Sequence, residues 1–249
     1  MGNKYEQPPV IEALCEFQFD PKSPWDLTIP GLIYEKIKGE FPEKGSHEIT
    51  GLEISTKPGA ITQNVERTRL VQFRHKSKPF LIQVGQHILT ANHIAPYSSW
   101  QDFLPTIANA LELYKGIANP LGLRRIGVRY INRVDIDTAQ FKFSDFQFRP
   151  EFWRPSPNPK NIKSFIVGAE IPYMDGRDVM RIQLATAQST EPGTRGFILD
   201  IDYFIIQLEK LKFEKAIEWV NNAHAQVENA FENSITDKLR EQFREVKEA

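Results

Sequence analysis

The chain has 249 residues, and its 41% hydrophobic and 25% charged content is that of a globular protein with a substantial core. Its 31 basic and 32 acidic residues leave a net charge of -1, which excludes a protein drawn to nucleic acid or membranes by overall charge. The single cysteine, Cys15, excludes an internal disulfide. No signal-peptide core and no window of roughly 18 apolar residues is found, so we expect a soluble, cytoplasmic protein.

The first half of the chain begins with a strand over 8–19, in which apolar residues alternate with polar ones. A short amphipathic helix is predicted over 31–41. Strands are predicted at 51–56 paired with 61–65, at 69–75 and at 80–93. Ser98 or Ser99 is typical of a helix N-cap, and the apolar positions that follow it at helical spacing are Trp100, Phe103, Ile107, Leu111 and Tyr114.

The second half repeats this order of elements. A strand over 123–136 comes first, and strands at 164–173 and 178–187 are joined by the tight-turn pair Asp175-Gly176. A fourth strand covers 196–204. A long helix is predicted from about 207, with Phe213, Ile217, Val220, His224, Val227 and Phe231 on one face. A last short helix carries Leu239 and Phe243.

The order strand, connection, strands, helix therefore occurs twice. It predicts an α+β fold built from a duplicated unit of antiparallel sheet, each sheet covered by a long helix. The two predicted halves are 1–120 and 121–249, within one compact domain. The segments "VDID" (134–137) and "LDID" (199–202) echo each other at corresponding places.

Four segments together resemble a known family: "PPVIEALCEFQF" (8–19), "RYINRVDI" (129–136), "LDIDYF" (199–204) and "AHAQVENAFENSIT" (223–236). The family is sporadically distributed, and its functionally uncharacterised members are bacterial and archaeal proteins of about this length. The resemblance implies prokaryotic origin and a stand-alone protein, and patchy distribution is typical of accessory or defence-associated genes. It carries no activity and no catalytic residue to this chain.

The strand over 123–136 places Arg125, Arg129 and Arg133 on one face, because side chains alternate along a strand. Such a ladder could bind a polyanion, since guanidinium groups chelate phosphate with two hydrogen bonds. The alternative is a solvated sheet face whose arginines pair with carboxylates on neighbouring strands, with Glu12 and Glu16 as the expected partners.

Two aspartate pairs, Asp135/Asp137 and Asp200/Asp202, are candidate metal ligands, because residues two apart share a strand face. The alternative is that they are solvated or paired with basic residues. His224 lies on the apolar stripe of the long helix, where its ring needs a partner. We expect it to face the sheet and to bond a strand carboxylate such as Asp200 or Asp202, either as a core residue or as a general base.

The stretch 141–154 is rich in aromatic residues and is locally basic. It predicts a small hairpin around Ser144-Asp145, followed by a proline-rich tail. The aromatic residues could pack in the core, form a protein interface or stack on single-stranded bases. The candidate interface residues are Phe141, Phe143, Phe146, Phe148, Phe152 and Trp153.

These observations favour a non-enzymatic, protein-binding accessory component that binds a protein partner or itself, through the aromatic stretch and the long C-terminal helix. No cofactor is predicted, and nucleic acid and membranes are not expected partners. The alternative is an enzyme or sensor for phosphorylated ligands, in which the arginines hold phosphate and the acidic residues hold a divalent metal. Its nearest analogue, a triphosphate-tunnel enzyme, has a Glu-x-Glu-x-Lys signature that is missing here.

Overall fold

The computed structural model describes residues 4–57, 60–149, 163–205 and 211–246. The helices of this part of the chain are α1 (Ile29–Ile37), α2 (Trp100–Ala118), α3 (Ala216–Ser234) and α4 (Asp237–Gln242). Its strands are β1 (Lys4–Tyr5), β2 (Val10–Phe19), β3 (Glu43–Lys57), β4 (Ala60–Arg74), β5 (Phe80–Gly85), β6 (Ile88–Ile94), β7 (Leu123–Asp137), β8 (Ile166–Tyr173), β9 (Asp178–Ala187), β10 (Thr194–Ile205) and β11 (Glu245–Val246). The α+β prediction is confirmed, with sheet that is mostly antiparallel.

The chain divides into two compact units that are not continuous in sequence. The first, here called the β7 unit, contains the described parts of Met1–Cys15, Ile94–Ser98 and Arg125–Ala249. The second, the α2 unit, contains Glu16–His93 and Ser99–Arg124. Strand β2 begins in one unit and ends in the other. The origin of the fold by duplication stays a prediction.

In the β7 unit the strand order is β2-β7-β10-β9-β8. Strands β7, β10, β9 and β8 pair antiparallel in turn, and β10 lies between β7 and β9. Helix α3 packs against β10, and Val220 and Val227 on its inner face are buried. The face of the sheet under α3 is therefore the apolar core of this unit.

In the α2 unit the strand order is β3-β4-β5-β6, followed by the end of β2. Ser99 caps α2, since its hydroxyl accepts a hydrogen bond from the backbone N–H of Asp102. The apolar stripe predicted for this helix is buried throughout: Trp100, Phe103, Ile107, Leu111 and Tyr114. The cap and the stripe of α2 are confirmed.

The alternation predicted for the first strand is also confirmed, because Ala13, Cys15, Phe17 and Phe19 are all buried in β2. The strand predicted over 123–136 is β7, with Ile126, Val128, Tyr130, Val134 and Ile136 buried on one face. We call this the tyrosine face of β7, and the other side its arginine face. Packing of one face against α3 explains the separation of apolar and charged residues.

Several predicted bounds were wrong. The runs 61–65 and 69–75 belong to one strand, β4, and the run 80–93 is divided into β5 and β6 by a turn in which His87 has a φ of 57°. The long helix begins at Ala216 rather than near 207, because Phe213–Lys215 form a 3-10 turn before it. No helix of the described ranges combines the length and the apolar character needed to cross a membrane.

The hairpin predicted around Ser144-Asp145 was wrong as well. Phe143–Asp145 form a 3-10 turn, and the carboxylate of Asp145 accepts a hydrogen bond from the backbone N–H of Lys142. Asp145 also pairs with Lys238, just inside α4, at 2.9 Å. The aromatic stretch therefore folds back onto the C-terminal helices of its own unit.

Candidate functional site

The three predicted arginines lie together on the arginine face of β7, and each donates hydrogen bonds to an aspartate. Arg125 contacts Asp202 at 2.7 Å. Arg129 binds Asp200 with two parallel bonds of 2.8 and 2.5 Å. The third pair is Arg133 with Asp135, at 2.7 and 3.1 Å. The ladder is thus a row of arginine–aspartate pairs.

The register between β7 and β10 brings these groups together. Asp202 lies directly opposite Arg129, so the aspartates of β10 share the face that carries the arginines. Arg125 also lies over the ring of Phe204, with 4.6 Å between the guanidinium carbon and the ring centre. The distances allow each guanidinium group to meet a carboxylate and, for Arg125, an aromatic face.

Two glycines provide the space that these side chains need. A Cβ atom at Gly127 would lie 2.6 Å from the guanidinium group of Arg125. A Cβ atom at Gly196 would lie 3.0 Å from both the guanidinium of Arg133 and the carboxylate of Asp135. The arginine side chains can therefore lie flat against the sheet, because the residues below them have no side chains.

The pKa values reflect this pairing. The hydrogen bonds to Asp200 raise the pKa of Arg129, and the charges of Asp200, Asp202 and Glu12 add to this effect. The hydrogen bonds from Arg133 likewise lower the pKa of Asp135. Aspartates of β7 and β10 therefore pair with the arginines, and Glu12 acts on Arg129 through its charge. Pairing with Glu16 stays a prediction.

These contacts agree better with the balanced sheet face than with an anion-binding ladder. A phosphate would have to displace carboxylates that already lie within hydrogen-bond distance of all three guanidinium groups. Binding would therefore exchange existing charge-assisted bonds for new ones, with little net gain. The role of Arg125, Arg129 and Arg133 in ligand binding stays a prediction.

The metal-binding interpretation of the aspartates finds no support in the contacts. Asp200, Asp202 and Asp135 accept hydrogen bonds from arginines, and Asp137 accepts one from the backbone N–H of Ala139. Over residues 4–57, 60–149, 163–205 and 211–246, no three metal-ligating side chains come together. These carboxylates act as hydrogen-bond acceptors for β7 and for the turn after it.

His224 contacts the sheet, as expected, but the predicted partner was wrong. Its Nδ1 lies 3.0 Å from the hydroxyl of Tyr130, and its Nε2 lies 3.2 Å from Glu228, one turn further along α3. Asp200 and Asp202 lie with the arginines, whereas Tyr130 projects from the opposite face of the strand toward α3. The alternation of side chains therefore separates His224 from the aspartates.

Tyr130 continues this set of contacts to the half-buried hydroxyl of Tyr97, 2.8 Å away. Burial raises the pKa of Tyr130 well above its usual value, and the neighbouring Tyr97 adds to the effect. The four groups Tyr97, Tyr130, His224 and Glu228 form a hydrogen-bonded chain through the core of the β7 unit. It satisfies the ring of His224, which is what a core histidine requires; a general-base role stays a prediction.

Two residues of the aromatic stretch are part of the core, which corrects the interface prediction for them. Phe141 and Phe146 are buried, and their rings lie 4.9 and 5.3 Å from that of Phe197 in β10. Phe143 and Phe148 are partly exposed. The remaining two candidates, Phe152 and Trp153, lie outside the described residues.

The sequence reasoning missed the exposed edge formed by β8. Among the described residues this strand has one strand neighbour, β9. Ile166 is 68% exposed and Ile171 42%, although they point to opposite faces. A signal was present, because "IVGAEIPY" lacks the apolar–polar alternation of a strand that buries one face.

The coupling free energy of one ion pair of the arginine ladder can be measured in a double-mutant cycle. We expect a coupling free energy of about 1 kcal/mol between Arg129→Ala and Asp200→Ala, because the pair has two bonds but the arginine side chain is 42% exposed. Urea unfolding of the wild type, both single variants and the double variant gives this value. The more exposed cross-strand pair Arg74–Glu43 is the matched control, with less than half of that coupling. Equal coupling in both cycles would show that the two bonds between Arg129 and Asp200 add no stability beyond that of an exposed pair.

Comparison with known proteins does not identify a family for this chain. No protein-family model matches the chain, and no curated protein matches it. The choice among functions therefore depends on the residues and on their geometry.

Proposed function

We propose that this protein is a non-enzymatic protein-binding component, an accessory part of a prokaryotic system, and that β8 receives a strand from its partner. The observation that carries the proposal is the exposed, apolar edge of the sheet at β8. Addition of a strand to such an edge is a common mode of protein recognition, in which the backbone supplies affinity and alternate side chains supply specificity. The prokaryotic and accessory parts of the proposal come from the family resemblance.

The hydrogen bonds before β8 define which backbone groups point outward. The N–H of Thr186 donates to the carbonyl of Phe165, so Phe165 faces the neighbouring strand. Because this orientation alternates in an antiparallel ladder, Ile166, Gly168 and Glu170 direct their N–H and C=O groups away from β9. These three residues offer a partner strand regularly spaced donors and acceptors.

The side chains of β8 do little to protect this edge. Natural edge strands are often protected by lysines, bulges or prolines. The one charged residue of β8, Glu170, is paired with Arg181 of β9 at 2.7 Å, which leaves the edge without net charge. Pro172 removes a single outward N–H near the end of the strand. An approaching strand therefore meets apolar side chains and little electrostatic resistance.

The interaction surface proposed at β8 replaces the aromatic stretch, which the sequence predicts as the interface. Phe141 and Phe146 cannot contact a partner without leaving the core, whereas Ile166 and Ile171 are already exposed. The phosphorylated-ligand alternative is less well supported, because the arginines that would hold the phosphate are paired with carboxylates.

The test compares substitutions on β8 with one elsewhere. An affinity-tagged chain is expressed in its native cells, cross-linked and purified. We expect Ile171→Lys and Gly168→Pro to reduce recovery of specific partners at least tenfold, because they remove an apolar contact and an outward donor. The matched control, Leu32→Lys, changes an exposed leucine of α1 and should leave recovery unchanged.

A second measurement establishes that β8 itself is the contact. In the complex of wild-type chain with the recovered partner, the amides of Ile166, Gly168 and Glu170 should exchange hydrogen at least tenfold more slowly than in the monomeric chain at high dilution. The proposal is overturned if recovery is the same for all variants, or if these amides are not protected.

A further inference from the structure

We propose that the strand received by β8 is β8 of a second copy of this chain, paired antiparallel about a two-fold axis at Gly168. This inference rests on the proposed function of β8 and names the partner. The evidence for it is the order of residues along the strand, which is complementary to itself in the register centred on Gly168.

The outward backbone groups allow this register. Ile166, Gly168 and Glu170 are spaced evenly about Gly168, so two antiparallel copies can place Gly168 opposite Gly168 and Ile166 opposite Glu170. Each of these three residue pairs then exchanges two bonds, which makes about six hydrogen bonds in all. Pro172, which has no N–H, lies outside these three residue pairs.

The nearest alternative register makes a similar number of bonds but has only two complete pairs. Moving the axis to Ala169 would place Pro172 opposite Ile166 of the second copy, and the missing N–H of proline would cost one bond of that pair. It would also place Gly168 opposite Glu170. The register centred on Gly168 instead has three complete pairs, and for this reason it is the one proposed.

The side chains also match in the favoured register. On one face, Val167 lies opposite Ala169, and Phe165 lies opposite the exposed Ile171 of the second copy. On the other face, Ile166 lies opposite Glu170 and diagonal to Gly168, where the missing side chains leave room. Ile171 of each copy therefore gains an apolar neighbour, Phe165, and Ile166 finds room beside Gly168.

The charges permit two identical edges to meet. Glu170 faces Ile166 of the second copy rather than another Glu170, and its charge is already balanced by Arg181. Like charges directly opposite would oppose the pairing, and this register avoids them. A two-fold pairing also uses the edge of both copies at once, so the assembly closes as a dimer.

Disulfide cross-linking tests the register directly. The only natural cysteine, Cys15, is buried, so an introduced thiol on β8 is the accessible one. A Cβ atom at Gly168 has ordinary contacts, with the nearest atom 3.5 Å away. The two Gly168 Cα atoms would be about 5.5 Å apart, within the roughly 4.4–6.8 Å span of disulfides.

We expect mild oxidation of Gly168→Cys, at micromolar concentration, to give at least ten times more covalent dimer than Ile166→Cys. The control residue lies on the same strand and face, but its two copies would be about 13 Å apart along the strands. Light scattering should give twice the monomer mass for the wild type. Ile171→Lys should weaken the dimer at least tenfold, measured by dilution.

The outcomes separate this inference from the proposed function. A wild type that is monomeric, or cross-linking no greater for Gly168→Cys than for Ile166→Cys, overturns the two-fold pairing. So does preferential cross-linking of Ala169→Cys, which would indicate the other register. If the chain is monomeric but recovers another protein in a manner that depends on Gly168→Pro and Ile171→Lys, the proposed function stands without this inference.

Discussion

Replacing Phe146 by alanine is expected to lower the free energy of unfolding by about 4 kcal/mol, the usual cost of removing a buried phenylalanine ring. Phe146 is 1% exposed, and its ring packs edge-on against Phe197. Its backbone also pairs with Ile235, which follows α3, so little movement is possible to fill the cavity. Urea unfolding followed by circular dichroism measures the change.

Phe148→Ala is the matched control, because it removes the same ring two residues away at a partly exposed position. Its cost should be less than half that of Phe146→Ala, since less apolar surface is buried there. If Phe146→Ala instead left stability unchanged and weakened association, the aromatic stretch would be the interface that its sequence indicated.

The second large effect is expected at Asp178, the first residue of β9. Asp178→Ala should lower the free energy of unfolding by about 3 kcal/mol. The carboxylate is 1% exposed and accepts hydrogen bonds from Arg177 at 2.9 and 2.6 Å and from the hydroxyl of Tyr203 at 2.9 Å. The indole N–H of Trp219 points at the same group from 3.3 Å. Removing the carboxylate leaves these donors without their acceptor between α3 and the sheet.

The conservative variant Asp178→Asn separates charge from hydrogen bonding. It keeps one acceptor oxygen, so we expect it to recover part of the lost stability. Glu218→Ala removes an exposed carboxylate of α3 that pairs with Lys215 just before the helix, and it should leave the urea midpoint unchanged. A loss at Asp178 no greater than that at Glu218 would show that the buried carboxylate contributes nothing to stability.

Local patterns in the sequence were sufficient for much of the fold. Alternation predicted which face of β2 and β7 is buried, because each strand has one side in the core. The N-cap and stripe of α2 were predicted from serine and from apolar residues at helical spacing. These features depend on residues within a few positions of each other.

The partners of the candidate site could not be predicted in the same way. Arg129 meets Asp200 because of the register between β7 and β10, which joins residues 71 apart in sequence. The same applies to His224, whose partner Tyr130 is 94 residues away. Periodicity assigns each residue to a face, but only strand order and register determine which charged groups lie side by side.

The aromatic stretch shows a different limit. Its density of phenylalanine is compatible with both a core and an interface, since the same residue types form both. The deciding contact is with Phe197, 51 positions after Phe146, and no local pattern reports it. The edge at β8 was missed for a related reason, because apolar residues on both faces of a strand also occur in the centre of buried sheets.

The interleaved path of the chain bears on how it folds during synthesis. Tyr5 donates a hydrogen bond to Glu232, 227 residues further on, so the β7 unit cannot complete its contacts until α3 has left the ribosome. The residues of the α2 unit have all been synthesised by Arg124. β1 therefore cannot form its contacts until α3 has been synthesised, and contacts between residues so far apart in sequence slow folding.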